Sequence, residues 1–427
     1  MRNASWLVVV FAGAACAGCS GSPSATRATE PADDAGTDAG LDATRDAATA
    51  AEGAAADTMG AYDGPVADAK GAYDGPVADA ACPGLPGAGT WQNISPPGSH
   101  YATTYTGVNA VVVRPDDPAI VYTGVDSNGI FKSTDCGATW ALVNTGTNAA
   151  AMSSGRPWSM AIDPVTPDVM YAVEGYGTSG LWKSSNAGVD WEQILTPNIT
   201  SAFYSAGQIT GFSMDPGDHT HLVIESHGNC ASGSTCAAES SDSGGTWTLI
   251  DMSAVGGWAE DSTVAIVNRT TWLYCGLFSG LFRTADEGVS WQAVDAGGAL
   301  PSCNYYEPYV WQAASGSYYV PAIAYAGAGL LQSPPDDTSS WTIVANSPQG
   351  EVLTPTGTSL VLAKTDGTYW IASQSDPTTW KTWVGPPVGM PSGANLGAAA
   401  YFMAYDRVHH ALYVSTFSTG LWETVME

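Results

Sequence analysis

Between its apolar runs the chain repeatedly sets carboxylates beside aromatic rings: Tyr101, Tyr105, Asp126, Arg156, Trp158, Glu174, Tyr176, Phe203, Tyr204, Glu225, His227, Trp258, Glu260, Asp261, Tyr305, Tyr306, Glu307, Asp366 and Phe417. Aromatic rings stack on the apolar faces of sugars, and carboxylates accept hydroxyl hydrogen bonds or move protons, so the mixture suits a neutral glycan. Inverting hydrolysis of a glycosidic bond would need two carboxyls roughly 6.5–9.5 Å apart, one of them with a raised pKa. Other chemistries have less support. His219 and His221, like His409 and His410, lack the cysteine or acid spacing of a zinc site and read as solvated turn residues. Asp126-Ser127-Asn128-Gly129 lacks the remainder of a calcium loop. No glycine loop opens a helix to cradle phosphate, and no serine nucleophile motif stands out. Neither a metal nor a cofactor is expected.

The elements that must position these side chains announce themselves by repetition. Ser133-x-Asp135-x-Gly137-x-Thr139-Trp140 recurs in full at Ser240–Trp247. At Thr284–Trp291 one hydroxyl replaces another, and at Ser184–Trp191 the acid becomes Asn186. Two decayed copies end at Trp341 and Trp380. The Asp or Asn oxygen can accept turn N–H groups, the glycine takes a backbone shape that a Cβ disfavours, and the indole buries a large apolar area. The motif is therefore a hairpin clasp, structural rather than catalytic. Tryptophans at 91, 140, 191, 247, 291, 341 and 380 lie 39–56 residues apart, a period that points to propeller blades. Each unit reads as an apolar strand, a turn, a second strand, a Gly-rich loop, a third strand, the clasp and a fourth strand. The second strands read IVYTGV, VMYAVE, HLVIES, LYCGLF, AIAYAG, LVLAKT and LYVSTF, seven in all. The last unit lacks a fourth strand, whereas the folded part begins GTWQNIS, a fourth strand without its first three. The expected fold is all-β, a seven-bladed propeller of four-stranded antiparallel blades, closed by pairing the strand near Trp91 with the C-terminal blade.

The clasp resembles the Asp-box, or BNR, repeat found in sialidases, xyloglucanase-type glycoside hydrolases, sortilin-type receptors and photosystem assembly factors. The resemblance spans essentially all of 89–427 and implies blade construction rather than chemistry, because these families do different things. It also implies that the clasps share one rim and that ligands meet the opposite face, where the residues named first fall. A sialic carboxylate would need clustered arginines. Arg114, Arg269 and Arg407 fall in clasp-side turns and Arg283 directly precedes a clasp, which leaves Arg156 alone on the binding face. Sialidase activity is thereby disfavoured. Xyloglucanase-type enzymes carry a first-blade segment like V-Y-A-R-T-D-I-G-G-A-Y-R, whose Asp is a catalytic carboxylate. Val121-Tyr122-Thr123-Gly124-Val125-Asp126-Ser127-Asn128-Gly129 matches it in outline, which makes Asp126 the candidate general base by resemblance. Those enzymes take their second carboxylate from a second propeller. Glu174 and Glu260 are the candidate partners in this single one, with Tyr101, Arg156, Trp158, Tyr176, Tyr204, Glu225, Trp258, Tyr305 and Tyr306 as candidate substrate contacts.

The remainder of the chain fixes the setting. Residues 1–19 read as a lipoprotein-type signal ending Ala17-Gly18-Cys19, with Cys19 the lipidation site. Residues 20–81 are Ala, Asp, Gly, Thr and Pro with GAYDGPVADA twice, an acidic tether that cannot build a core. The folded part is 82–427. Its six cysteines suit an oxidising compartment: Cys230 and Cys236 are expected to pair, while Cys275, Cys303, Cys82 and Cys136 leave connectivity open. A net charge of −28 disfavours nucleic acid. The membrane is expected to be touched only through the lipid anchor, at the cell envelope, with secretion the alternative if the anchor is absent. Two functions remain for a monomeric propeller: binding and hydrolysis of a xyloglucan- or β-glucan-type polysaccharide, or non-catalytic binding of a protein or glycan.

Overall fold

The computed structural model describes residues 66–67, 77–78, 81–99, 107–175, 177–256, 262–276, 279–294, 310–322, 329–364, 366–387, 400–416 and 419–426. These residues form seven antiparallel sheets. Blade one is Val108–Val113, Val121–Val125, Gly129–Ser133 and Ala141–Leu142. Blade two is Pro157–Ile162, Met170–Glu174, Gly180–Ser184 and Glu192–Gln193. Blades three and four start at Ile209–Asp215 and Ser262–Asn268, blades five and six at Val310–Gln312 and Val352–Thr356. In blade seven, Ala400–Asp406, Ala411–Thr416 and Gly420–Val425 are joined by Gln92–Asn93, with Gln92 opposite Glu423 and Asn93 opposite Trp422. Blade five carries an additional inner strand: Val66–Ala67 lies parallel to Val310–Trp311. The signal segment and Cys19 lie outside the described residues, as does the expected tether apart from Val66–Ala67, Val77–Ala78 and Ala81.

The second strands are buried along their length because blades stack on both their faces, which is why they read as continuous apolar runs rather than alternating ones. One apolar cluster joins Tyr122 of blade one to Met160 and Met170 of blade two and to Phe402 and Tyr413 of blade seven. The approach is close: a Cβ at Gly124 would sit 2.5 Å from the ring of Pro157 in the next blade, so only glycine serves there.

The clasp is a type I′ turn with side-chain bracing. In blade one Cys136 and Gly137 both take left-handed φ, +57° and +94°, and Ala138 N donates to Asp135 O at 3.1 Å. Asp135 accepts from Ser133 Oγ (2.7 Å), Thr139 N (2.8 Å) and Thr139 Oγ1 (2.6 Å), while Ser133 Oγ accepts from Gly137 N (2.8 Å). Blade two redistributes the same bonds: Asn186 Oδ1 accepts from Asp190 N, and Asn186 Nδ2 donates to Asp190 Oδ2 at 2.7 Å.

Two expectations are corrected. The second strand of blade five is Ser317–Pro321, not AIAYAG, which begins at Ala322. The first two strands of that blade are joined by a tight turn at Gly316 (φ +87°), so the second begins sooner than the repeat spacing suggests. His409 and His410 lie in a turn as expected, with His410 exposed, but His219 and His221 are not solvated turn residues. Strand Asp218–Ser226 begins early enough to include His219 and His221, and His221 is fully buried, with Nδ1 2.9 Å from Asp215 Oδ2 and Nε2 3.1 Å from Glu239 Oε1. His409 Nδ1 lies 2.5 Å from Asp406 Oδ2.

Candidate functional site

Asp126 follows directly on its strand, where Asp126 N donates to Gly107 O at 2.9 Å and Ser127 N donates across to Gly155 O at 2.9 Å. Ser127 takes φ +53°, turning the chain so that its hydroxyl reaches Asp126 Oδ1 at 2.8 Å. The other carboxylate oxygen accepts from Arg156 Nε at 3.2 Å. Arg156 belongs to the loop joining blades one and two, and its carbonyl receives Gly175 N at 2.8 Å. Glu174 ends the second strand of blade two, opposite Pro157 and Gly180. Asp126, Arg156 and Glu174 are therefore gathered at one junction, between blades one and two.

Their environments differ sharply. Glu174 is fully buried and neither of its carboxyl oxygens has a hydrogen-bond partner among the described residues. Burial first, and the nearby Asp126 charge second, push its carboxyl well above the ordinary carboxylate range, so it is the protonated member of the pair. Gly155 covers it: a Cβ there would come 2.2 Å from Glu174 Oε2. Sequence reasoning missed Gly155, whose only signal is its place immediately before Arg156.

Glu225 does not join them. It pairs with Ala237 one register step short of the position Glu174 holds in its own blade, so it faces blade four. There Oε1 accepts from Ser262 Oγ at 2.5 Å, Oε2 has no partner among the described residues, and burial, opposed by the Ser262 bond, pushes the carboxyl up to about 8. Trp158 is buried rather than displayed: its ring lies against Gly175, where a Cβ would approach to 2.5 Å, and meets His227 edge-on at 5.2 Å. Among the described residues of this group, Tyr204, 40% exposed, is the ring that solvent reaches. Tyr101, Tyr176, Trp258, Glu260, Tyr305 and Tyr306 lie outside the described residues.

The arginines on the clasp rim are committed elsewhere. Arg114 pairs with Asp116 (2.6 Å) and with Asp168 of the next blade (2.7 Å), and Arg269 pairs with Glu239 and Glu287. Cys230–Cys236 and Cys82–Cys136 are disulfides, and Cys275 is also disulfide-bonded, its candidate partner Cys303 lying outside the described residues. These bonds are consistent with an exported protein.

No family model matches the chain. It is 28% identical to the xyloglucanase Xgh74A of Acetivibrio thermocellus over 209 residues, 45% of this chain but 20% of that enzyme. It is 28% identical to a xyloglucanase of Hypocrea jecorina over 143 residues, 30% of this chain and 17% of that enzyme. The chain thus matches about a fifth of these relatives' length. Among solved structures, YCF48 bound to D1 peptide superposes with a TM-score of 0.51 at 14% identity, covering 82% of this chain and 99% of that one. The extracellular domain of the putative hybrid two component system BT3049 from B. thetaiotaomicron gives 0.53 at 12% identity, covering 75% of this chain and 40% of that one. These likenesses show a shared propeller fold.

Proposed function

We propose that this protein binds and hydrolyses a neutral β-glucan of xyloglucan type, with Asp126 as general base and Glu174 as general acid. The observation that carries the reading is the junction of blades one and two, where one carboxylate is paired to a guanidinium and its neighbour is fully buried with no hydrogen-bond partner among the described residues, which raises its pKa. Separating two carboxyls in this way is how one site supplies both an acid and a base at a single pH. The sequence likeness to two xyloglucanases supports the substrate class. Because the Glu174 carboxyl has no exposure in the free protein, part of this junction must move for substrate to reach it.

The test is release of new reducing ends from xyloglucan and other β-glucans by the full chain. Asp126→Ala and Glu174→Gln each remove one proton-transfer partner and should lower the rate by roughly 10²–10⁴-fold while leaving binding in place. An unmodified protein that binds glucan and releases no ends defeats the enzymatic reading. The complete burial of Glu174 favours a second reading, a non-catalytic scaffold for a glycan or protein partner, and the same experiment separates the two.

The setting belongs to the same proposal: an exported lipoprotein anchored through Cys19, with residues 20–81 as a spacer. Cys19→Ala should shift the protein from the detergent phase to the aqueous phase on Triton partition. An unchanged distribution would remove the anchor.

A further inference from the structure

The Cys82–Cys136 disulfide has two chemically active neighbours. Cys136 sits in the blade one clasp, and the turn between the first two strands of blade seven brings His409 Nδ1 to 3.9 Å from its sulfur. Asp406, fully buried, accepts from Val408 N (2.8 Å) and His409 N (3.1 Å) through Oδ1, which leaves Oδ2 directed at the His409 ring. One ligand atom from each of Cys82, Cys136, Asp406 and His409 lies within 4.8 Å of all the others. Two sulfurs, one imidazole nitrogen and one carboxylate oxygen match the donor number and the donor types of a four-coordinate zinc site. A further carboxyl stands beside it: Glu423 is 1% exposed, its Oε2 has no partner among the described residues, and a Cβ on Gly137 of the same turn would lie 3.6 Å from that oxygen.

While the sulfurs are bonded to each other, neither can be a thiolate ligand. We propose that the reduced form of this junction binds one zinc ion through Cys82, Cys136, His409 and Asp406. Disulfide and metal are then alternative ties between blade seven and blade one. A dithiol or phosphine reductant donates two electrons to the S–S bond, and with two protons the sulfurs become two thiols. Zinc displaces both thiol protons on binding, and exchange with a small-molecule disulfide, which takes up the two electrons and leaves as two thiols, restores the S–S bond and releases the ion.

Cobalt(II) makes the site visible, since thiolate ligation gives it charge-transfer absorption. The full chain carrying Cys230→Ser and Cys236→Ser, reduced with a phosphine, is titrated with cobalt and then with zinc. One equivalent should produce the thiolate band, zinc should abolish it, and the oxidised protein should show none. His409→Ala should weaken binding by at least roughly 10- to 100-fold, the loss that even an outer-shell partner can cause. An equal band in Cys136→Ser, an unchanged affinity in His409→Ala, or no band in a reduced protein that keeps its folded circular dichroism would each overturn the proposal. If reduction alone unfolds the chain, reduction with zinc already present decides: a retained fold supports the site and unfolding refutes it.

Discussion

Glu225 and Glu423 are acids that burial pushes up to about 8, so each enters the folded state as a neutral carboxyl. Between the ordinary carboxylate value and that raised one, the folded chain holds protons that the unfolded chain has lost, so stability falls as pH rises through this window. His221 acts in the same sense. Burial opposes its charge, but Asp215 and Glu239 outweigh that and raise its pKa, giving stability that is present in acid and lost as pH climbs through the raised value. The clasp carboxylates act oppositely: hydrogen bonds from Thr246 and Ser240 hold Asp242 low, and that stability disappears only when acid protonates it. The melting temperature should therefore peak in mild acid and decline toward about pH 8. Glu225→Gln keeps an acceptor for Ser262 Oγ, so it should raise the melting temperature at about pH 8 and change little at about pH 5. Equal effects at both values would mean that Glu225 is not the buried neutral acid described.

At the scale of elements, the clasp was legible because its side chains act within a few residues of one another. Its left-handed first position was not. Cys136, Ala187, Ser243 and Glu287 share φ of +56° to +58° yet share no chemistry, because the turn constrains their backbone and leaves their side chains free. The blade five strand was misplaced because its repeat has decayed and the tight turn at Gly316 is set by conformation, not by hydrophobic pattern. Likewise, Glu174 and Glu225 both stand near the end of a second strand and both were expected on the binding face. One register step relative to the clasp serine sends Glu174 toward blade one and Glu225 toward blade four, so only Glu174 meets Asp126. The clasp itself yields a graded prediction. Asp242→Ala removes the acceptor for Thr246 N and should cost about 1 kcal/mol by urea unfolding, as loss of a capping oxygen does. Asp242→Asn with Thr246→Asp copies the arrangement of Asn186 and Asp190 and should recover most of that loss.

At the scale of the whole molecule, the weak point of a ring of blades is where its two ends meet. The closing strand Gln92–Asn93 is only two residues long, too short to hold by backbone pairing alone. It is reinforced on both sides. Trp91 packs against Tyr369 and Trp383 and donates Nε1 to Val384 O at 2.8 Å, tying it to blade six. Cys82–Cys136 ties the same segment to blade one. The two described disulfides enclose very different loops, with sequence separations of 54 and 6. Chain entropy alone then assigns about 4 kcal/mol to Cys82–Cys136 and about 2 kcal/mol to Cys230–Cys236. The double serine variant of the first pair should accordingly lose about twice the unfolding free energy of the second, read from urea midpoints without added metal. It should also expose the amides of Gln92 and Asn93 to hydrogen exchange ahead of those in Tyr122 or Tyr171, because the closing strand, once untied, opens before the blades do. Equal losses for the two pairs, or unchanged exchange at Gln92 and Asn93, would show that the ring is held shut by its apolar contacts and not by the disulfide.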